Sequence, residues 1–289
     1  HYELIFIWLH ILNTYASNKE CSKNITIYLY LTSLEKHLPK SNNSILDEYN
    51  VNTAFTSTCP KDSEIVVFRK EEWFKVFIHE TLHNFSLDFS IMNNDYITNC
   101  ILNIFKVNSE VNAYEAYTEF WAEIINSIFC SFYSIRDKNN INEFLSNCEF
   151  CINFERTYSY FQLVKTLHFM GLSYNDLYSK TNHSKLFREN LYKEKSNVLS
   201  YYVIKTILIN NYQGFLYWCQ KNNLSLLDFK KTLENQKEFC IFIERNYKTP
   251  SLLDNINETN IFYSKLYIRK NKSLNYILSN LRMSICELG

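Results

Sequence analysis

Residues 77–85 read Phe77-Ile78-His79-Glu80-Thr81-Leu82-His83-Asn84-Phe85. From Lys70 onward Trp73, Phe77, Leu82, Phe85 and Phe89 recur at three to five residues, the period of an amphipathic helix. Just upstream, residues 64–68 (EIVVF) form a β-branched run that follows the turn Cys59-Pro60-Lys61-Asp62, so a strand is expected to lead into the helix. Strand followed by helix is the unit around which the rest of the chain is arranged.

Working outward, residues 25–31 (ITIYLYL) and 51–57 (VNTAFTS) are two further strand candidates. A short helix is expected over 33–37, ended near Pro39, and the apolar run 5–12 reads as a buried helix. Beyond residue 110 the pattern is helical, with candidates at 113–135, 142–170, 198–221, 225–246 and 273–286. Charged or Asn-rich stretches at 137–140, 193–197 and 255–260 separate them. No fixed-period repeat and no Pro/Ser/Gly linker occurs. The expected fold is therefore α+β and predominantly helical. Residues 1–110 form an N-terminal part with a small sheet and the His79–His83 helix, and residues 111–289 form a helical part that shares its core.

The 289 residues carry 30 Lys+Arg against 30 Asp+Glu, with a pI near 7.1. A chain with no basic field is not built for phosphate contacts, which argues against nucleic acid as a partner. No apolar run approaches the 18 or so residues that span a bilayer, so no membrane partner is expected. With 3 Gly, a glycine-rich phosphate loop and a GxSxG nucleophile elbow are both excluded. The nine cysteines are odd in number and scattered, a pattern suited to a reducing compartment. Cys148 and Cys151 read as two thiols on one helix. Abundant Asn, Lys, Ile, Tyr and Phe beside scarce Ala match AT-rich codons, as in a large DNA virus or an AT-rich microbe. A cytoplasmic location is expected, in the host cytoplasm if the source is viral. The chain begins with His1, as a processed or truncated piece would, and no basic residue precedes the run 5–12, so a signal peptide is poorly supported.

The chemistry lies in the spacing of His79, Glu80 and His83. Two histidines four apart on a helix share a face and can hold one zinc ion. The intervening Glu80 stands beside such a metal and can take a proton from its water. The plain alternative is a helix with two half-exposed histidines and a solvated glutamate. Against that stands a second feature: Glu115, Glu119 and Glu123, at i, i+4 and i+8 in VNAYEAYTEFWAEIIN, line one stripe of an aromatic-rich helix. No Lys or Arg answers them at i+4, so the stripe calls for a cation. The strand at 64–68, if at a sheet edge, would hold an extended peptide by strand addition.

HExxH followed some tens of residues later by a glutamate on a second helix resembles the gluzincin metallopeptidases, both thermolysin-like and lethal-factor-like. Glu119-Phe120-Trp121-Ala122-Glu123 is similar to the Glu-aromatic-aromatic-Ala-Glu pattern of the lethal factor family. A Glu with Trp two residues on also resembles the third-ligand helix of thimet-type oligopeptidases. These resemblances imply a zincin-like fold, with His79, His83 and Glu119 as Zn²⁺ ligands and Glu123 as a supporting carboxylate. The rival frame, Glu115-Ala116-Tyr117-Thr118-Glu119, resembles the Glu-x-x-Ser-Asp of thermolysin and makes Glu115 the ligand. The Glu119 frame is preferred. Tyr201 and Tyr202 are faintly similar to the paired tyrosines of thimet-type enzymes and are the expected oxyanion donors, Tyr202 first. Tyr114 loosely resembles the active-site tyrosine of the lethal factor. The combination is also similar to uncharacterised HExxH proteins of giant DNA viruses. The expected activity is zinc-dependent hydrolysis of a peptide or protein substrate with Glu80 as general base. The alternative is an inactive zincin-like interaction module with a structural metal site.

Overall fold

The computed structural model describes residues 1–269 and 271–288. In chain order the elements are α1 (Tyr2–Tyr15), β1 (Asn24–Thr32), α2 (Glu48–Val51), β2 (Ala54–Thr56), β3 (Asp62–Arg69), α3 (Trp73–Asn84), α4 (Asp95–Ile104) and α5 (Ala113–Ser134). There follow α6 (Ile141–Phe169), α7 (Tyr174–Tyr178), α8 (Asn182–Leu191), a π-helical turn (Leu199–Ile204), α9 (Lys205–Asn210), α10 (Tyr212–Asn222), α11 (Leu233–Asn246), α12 (Pro250–Ile268) and α13 (Asn275–Ser279). Helices dominate, beside a three-stranded sheet, as the α+β expectation has it.

The strand order is β1-β3-β2. β3 pairs in parallel with β1 from Asn24↔Asp62 to Thr32↔Arg69, and antiparallel with β2 through Phe55↔Val66. The strand that leads into α3 is thus the centre of the sheet and not its edge, which corrects the expectation above. Its alternate residues Ile65 and Val67 are fully buried on one face, and its backbone is paired along both edges. The three-residue β2 is an edge.

The same register explains a second correction. Cys21 and Cys59 each stand three residues before the first paired residues, Asn24 and Asp62. Parallel neighbours bring them to a Cα–Cα distance of 4.6 Å, and they are joined in a disulfide. The thiol argument for a reducing compartment therefore fails for this pair. Cys148 and Cys151 are free thiols, both on α6.

α3 is buried along its whole length. Its polar residues suggested an amphipathic helix with a solvent face, but that face is turned inward onto α5. One hydrophobic cluster runs from Leu4 and Trp8 through α3, α5 and α6 to Leu281 and Met283. Elsewhere the helix boundaries differ from expectation. Residues 33–37 form no helix, because Lys36 is drawn inward to Glu72 and His37 makes a bridge to Asn280. The 198–221 stretch is divided at Asn211, and 225–246 is helical only from Leu233. The 273–286 stretch is helical only over Asn275–Ser279. The supposed separator at 255–260 lies inside α12, where Leu252, Ile256 and Tyr263 make a buried stripe despite the many asparagines. Among the described residues no helix is long and apolar enough to cross a membrane.

Candidate metal centre

His79 and His83 project from one face of α3 with their Nε2 atoms 3.1 Å apart. Opposite them α5 supplies Glu115, whose Oε2 lies 3.1 Å from His79 Nε2 and 3.4 Å from His83 Nε2. Among the described residues these three side chains form the cluster whose ligand atoms could hold a metal ion. The geometry corrects the preferred sequence frame by one helical turn: Glu115 reaches the convergence point, and Glu119 does not.

Glu119 has a different position. Its Oε1 accepts from Lys75 Nζ at 2.6 Å, and its Oε2 faces His79 Nδ1 at 2.9 Å. Burial alone would raise its pKa, but Lys75 and the His79 hydrogen bond outweigh burial and hold it well below the usual carboxylate range. An ionised carboxylate only accepts, so His79 Nδ1 must donate and, in the neutral ring, Nε2 carries the lone pair. His83 repeats the arrangement, its Nδ1 hydrogen-bonded to the fully buried Asp88. Each imidazole is therefore aimed from behind by a carboxylate, the usual support of a metal-binding histidine. Asp88 was missed in the sequence; its only signal was an acidic residue one turn beyond His83.

Glu123 lies deeper still, 2.6 Å from Lys205 Nζ on α9 and fully buried. It touches neither histidine and is not the supporting carboxylate that the lethal-factor pattern implied. The Glu115/Glu119/Glu123 stripe is thus answered by three different environments: the histidine pair, Lys75 and Lys205. The cations absent at i+4 arrive from other helices.

Burial opposes charge on both histidines. Hydrogen bonds with Glu115 and Glu119 nevertheless raise His79, and Asp88 and Glu115 raise His83 well above its ordinary value. The cluster attracts positive charge. Glu80, also buried, lines the cleft and has no hydrogen-bond partner among the described residues. Burial raises its pKa against the pull of His79 and His83.

The two expected tyrosines separate. Tyr201 donates to Glu115 Oε2 at 2.8 Å, and its ring lies 5.9 Å from that of His79. Tyr202 points the other way and donates to Leu281 O at 2.7 Å in the core, so it is excluded from the cleft. Adjacent residues on a helix do not face the same way, in this π-helical turn as in an α-helix. Tyr114 stands with its ring 6.0 Å from His83, and its hydroxyl has no hydrogen-bond partner among the described residues. Burial pushes it up to about 12. The cleft, about 230 Å³, is closed on its far side by β2, with Asn52, Thr53, Phe55, Thr56 and Thr58 along that wall.

No family model matches the chain, and no solved structure matches it. An uncharacterised protein of Acanthamoeba polyphaga mimivirus is similar, 28% identical over 191 residues. That alignment covers 63% of this chain and 46% of the relative, so the chain spans less than half the relative's length.

Proposed function

We propose that this protein is a zinc-dependent peptidase of gluzincin type, with His79, His83 and Glu115 as the metal ligands. The observation that carries the reading is the spacing of three donor atoms. With Zn–N and Zn–O near 2.0–2.1 Å, the ligand-to-ligand edges of a tetrahedron are about 3.3–3.4 Å. The separations here are 3.1, 3.1 and 3.4 Å. Two neutral imidazoles and a carboxylate at such spacing are held together by protons on the ring nitrogens or by a metal ion between them, and the tetrahedral edge lengths favour the ion. Three protein ligands leave a fourth position open, which favours a catalytic over a structural site.

A zinc ion held there supplies Lewis acidity, polarising a peptide carbonyl and acidifying water. Glu80, free of other partners and raised by burial, takes the proton of the attacking water and passes it to the leaving amine. Tyr114, protonated at neutral pH and with a free hydroxyl, donates to the developing oxyanion. Tyr201 holds Glu115 in place. The edge strand β2 supports a peptide substrate. Phe68 N donates to Thr53 O at 3.0 Å, so Thr53 and Phe55 turn their backbone groups toward β3. By the alternation of an antiparallel pair, those of Ala54 and Thr56 face the cleft, where an extended peptide can add as a strand. A host-cell setting is part of the same proposal, in line with the mimivirus relative, and the Cys21–Cys59 disulfide speaks against a reducing compartment within it.

The test is zinc content together with cleavage of a quenched-peptide library by wild type and Glu80→Gln. Zinc in both, with cleavage in the wild type alone, is the expected result. Zinc with no cleavage in either would turn the reading to a structural site in an interaction module.

A further inference from the structure

A line of alternating buried charges runs away from the histidine pair. Behind His79 stands Glu119, behind Glu119 is Lys75, and Lys75 Nζ lies 3.5 Å from Glu72 Oε1. Glu72 Oε2 accepts from Lys36 Nζ at 2.7 Å, and its Oε1 accepts the backbone N–H groups of Met283 and Ser284 at 3.0 and 2.6 Å. Lys36, Glu72, Lys75 and Glu119 are each at most 2% exposed. Four buried charges are costly to desolvate, and well-packed apolar residues would often serve stability as well. Their place beside the candidate metal centre points to a use other than stability.

We infer that Lys75 is a positioning residue for the metal ligand His79, acting through Glu119. The inference rests on the metal reading above. Lys75 precedes His79 by four residues on α3, so both face α5. Its ammonium takes Glu119 Oε1, which leaves Oε2 alone to meet His79 Nδ1. A carboxylate on the flexible Glu side chain has two equivalent oxygens, and Lys75 decides which one the imidazole sees. Lys75 is itself held from behind by Glu72, whose position is set by Lys36 and by the segment at Met283 and Ser284. The orientation of one metal ligand is thereby tied to the C-terminal part of the chain.

The experiment is a double-mutant cycle on zinc affinity, measured on the full chain by competition with a chromogenic chelator. Lys75→Met is expected to weaken zinc by about 10- to 100-fold, the usual effect of disturbing the groups behind a ligand. In a Glu119→Gln background the same substitution should change affinity by less than about twofold, because the path is already interrupted. The His79 Nδ1 proton should shift upfield in metal-free Lys75→Met, a change that a merely structural lysine would not cause. Equal losses in both backgrounds, or an unmoved Nδ1 proton, would overturn the inference. Should Lys75→Met alone fail to fold, Lys75→Met/Glu119→Gln compared with Glu119→Gln still decides: equal affinity upholds it and a tenfold further loss refutes it. A wild-type chain that takes up no zinc would overturn the metal reading and this inference together, whereas zinc uptake with additive losses overturns this inference alone.

Discussion

The two sides of α5 solve opposite problems. Toward α3 and α9 it presents Glu115, Glu119 and Glu123, each met by a histidine or a lysine from another helix. Toward α10 and α11 it presents Tyr117 and Phe120, which enter an aromatic cluster: Phe120–Phe215 at 4.8 Å, Tyr117–Phe229 at 5.6 Å and Phe215–Phe239 at 5.8 Å between ring centres. The aromatic side removes apolar area from water and needs no partner of a particular charge. The charged side gains little net stability, since desolvation offsets the attraction of each pair. One face of α5 thus packs the site in place and the other carries its polar groups.

The largest effect expected on the charged side is functional. Glu80→Gln should lower turnover by about 10²- to 10⁴-fold while zinc content and thermal stability hold. Unfolding of that variant at wild-type zinc levels would show Glu80 to be structural. On the aromatic side, Phe239→Ala should destabilise by about 3–5 kcal/mol in urea, with zinc affinity of the folded chain unchanged. A parallel loss of zinc affinity would mean that the two faces are not separable.

How far each face was legible follows from the same contrast. The aromatic face and the strand–helix entry were readable because apolar periodicity is a local signal. Three strands were placed from β-branched runs, although β2 proved shorter and β3 more central, since pairing order is not written in any one strand. His79, Glu80 and His83 were readable because their spacing matches one helical turn. The choice between Glu115 and Glu119 was not, because it depends on Lys75 reaching Glu119 from another helix, a contact made across 44 residues. Asp88 depended on how the chain turns back after α3, and the division of labour between Tyr201 and Tyr202 on which side of a helix faces the cleft. The Cys21–Cys59 bond became readable only with the β1–β3 register.

That disulfide joins residues 38 apart in sequence and encloses β1, α2 and β2. Cys21→Ser/Cys59→Ser should cost about 2–4 kcal/mol of stability, read by urea unfolding, without loss of zinc. Retention of full stability would show that the bond constrains little.

The smallest effect concerns a buried lysine without a carboxylate bond. Lys75 is pulled down by burial but held above the ordinary lysine range by Glu119 and Glu72. Lys165 on α6 is hydrogen-bonded to the carbonyls of Ile277 and Asn280, and burial, only partly opposed by Glu71, brings it down to about 7. An unfolded lysine titrates near 10.4, so above pH 7 the unfolded chain binds the extra proton. The stability linked to this group is fully present above the ordinary lysine pKa and is lost as pH falls through 7. Between pH 7.5 and 8.5 stability should rise by up to about 1.4 kcal/mol, and Lys165→Met should lack that slope. Identical slopes would show that Lys165 is not the source.

We propose that α3 and α5 meet in a zinc site completed by Glu115. The most direct measurement is the zinc bound at saturation by wild type, Glu115→Ala and Glu119→Ala, each purified as the full chain. About one zinc per chain is expected in the wild type, loss in Glu115→Ala, and retention at weakened affinity in Glu119→Ala. Full zinc in Glu115→Ala with loss in Glu119→Ala, or no zinc in the wild type, would contradict it.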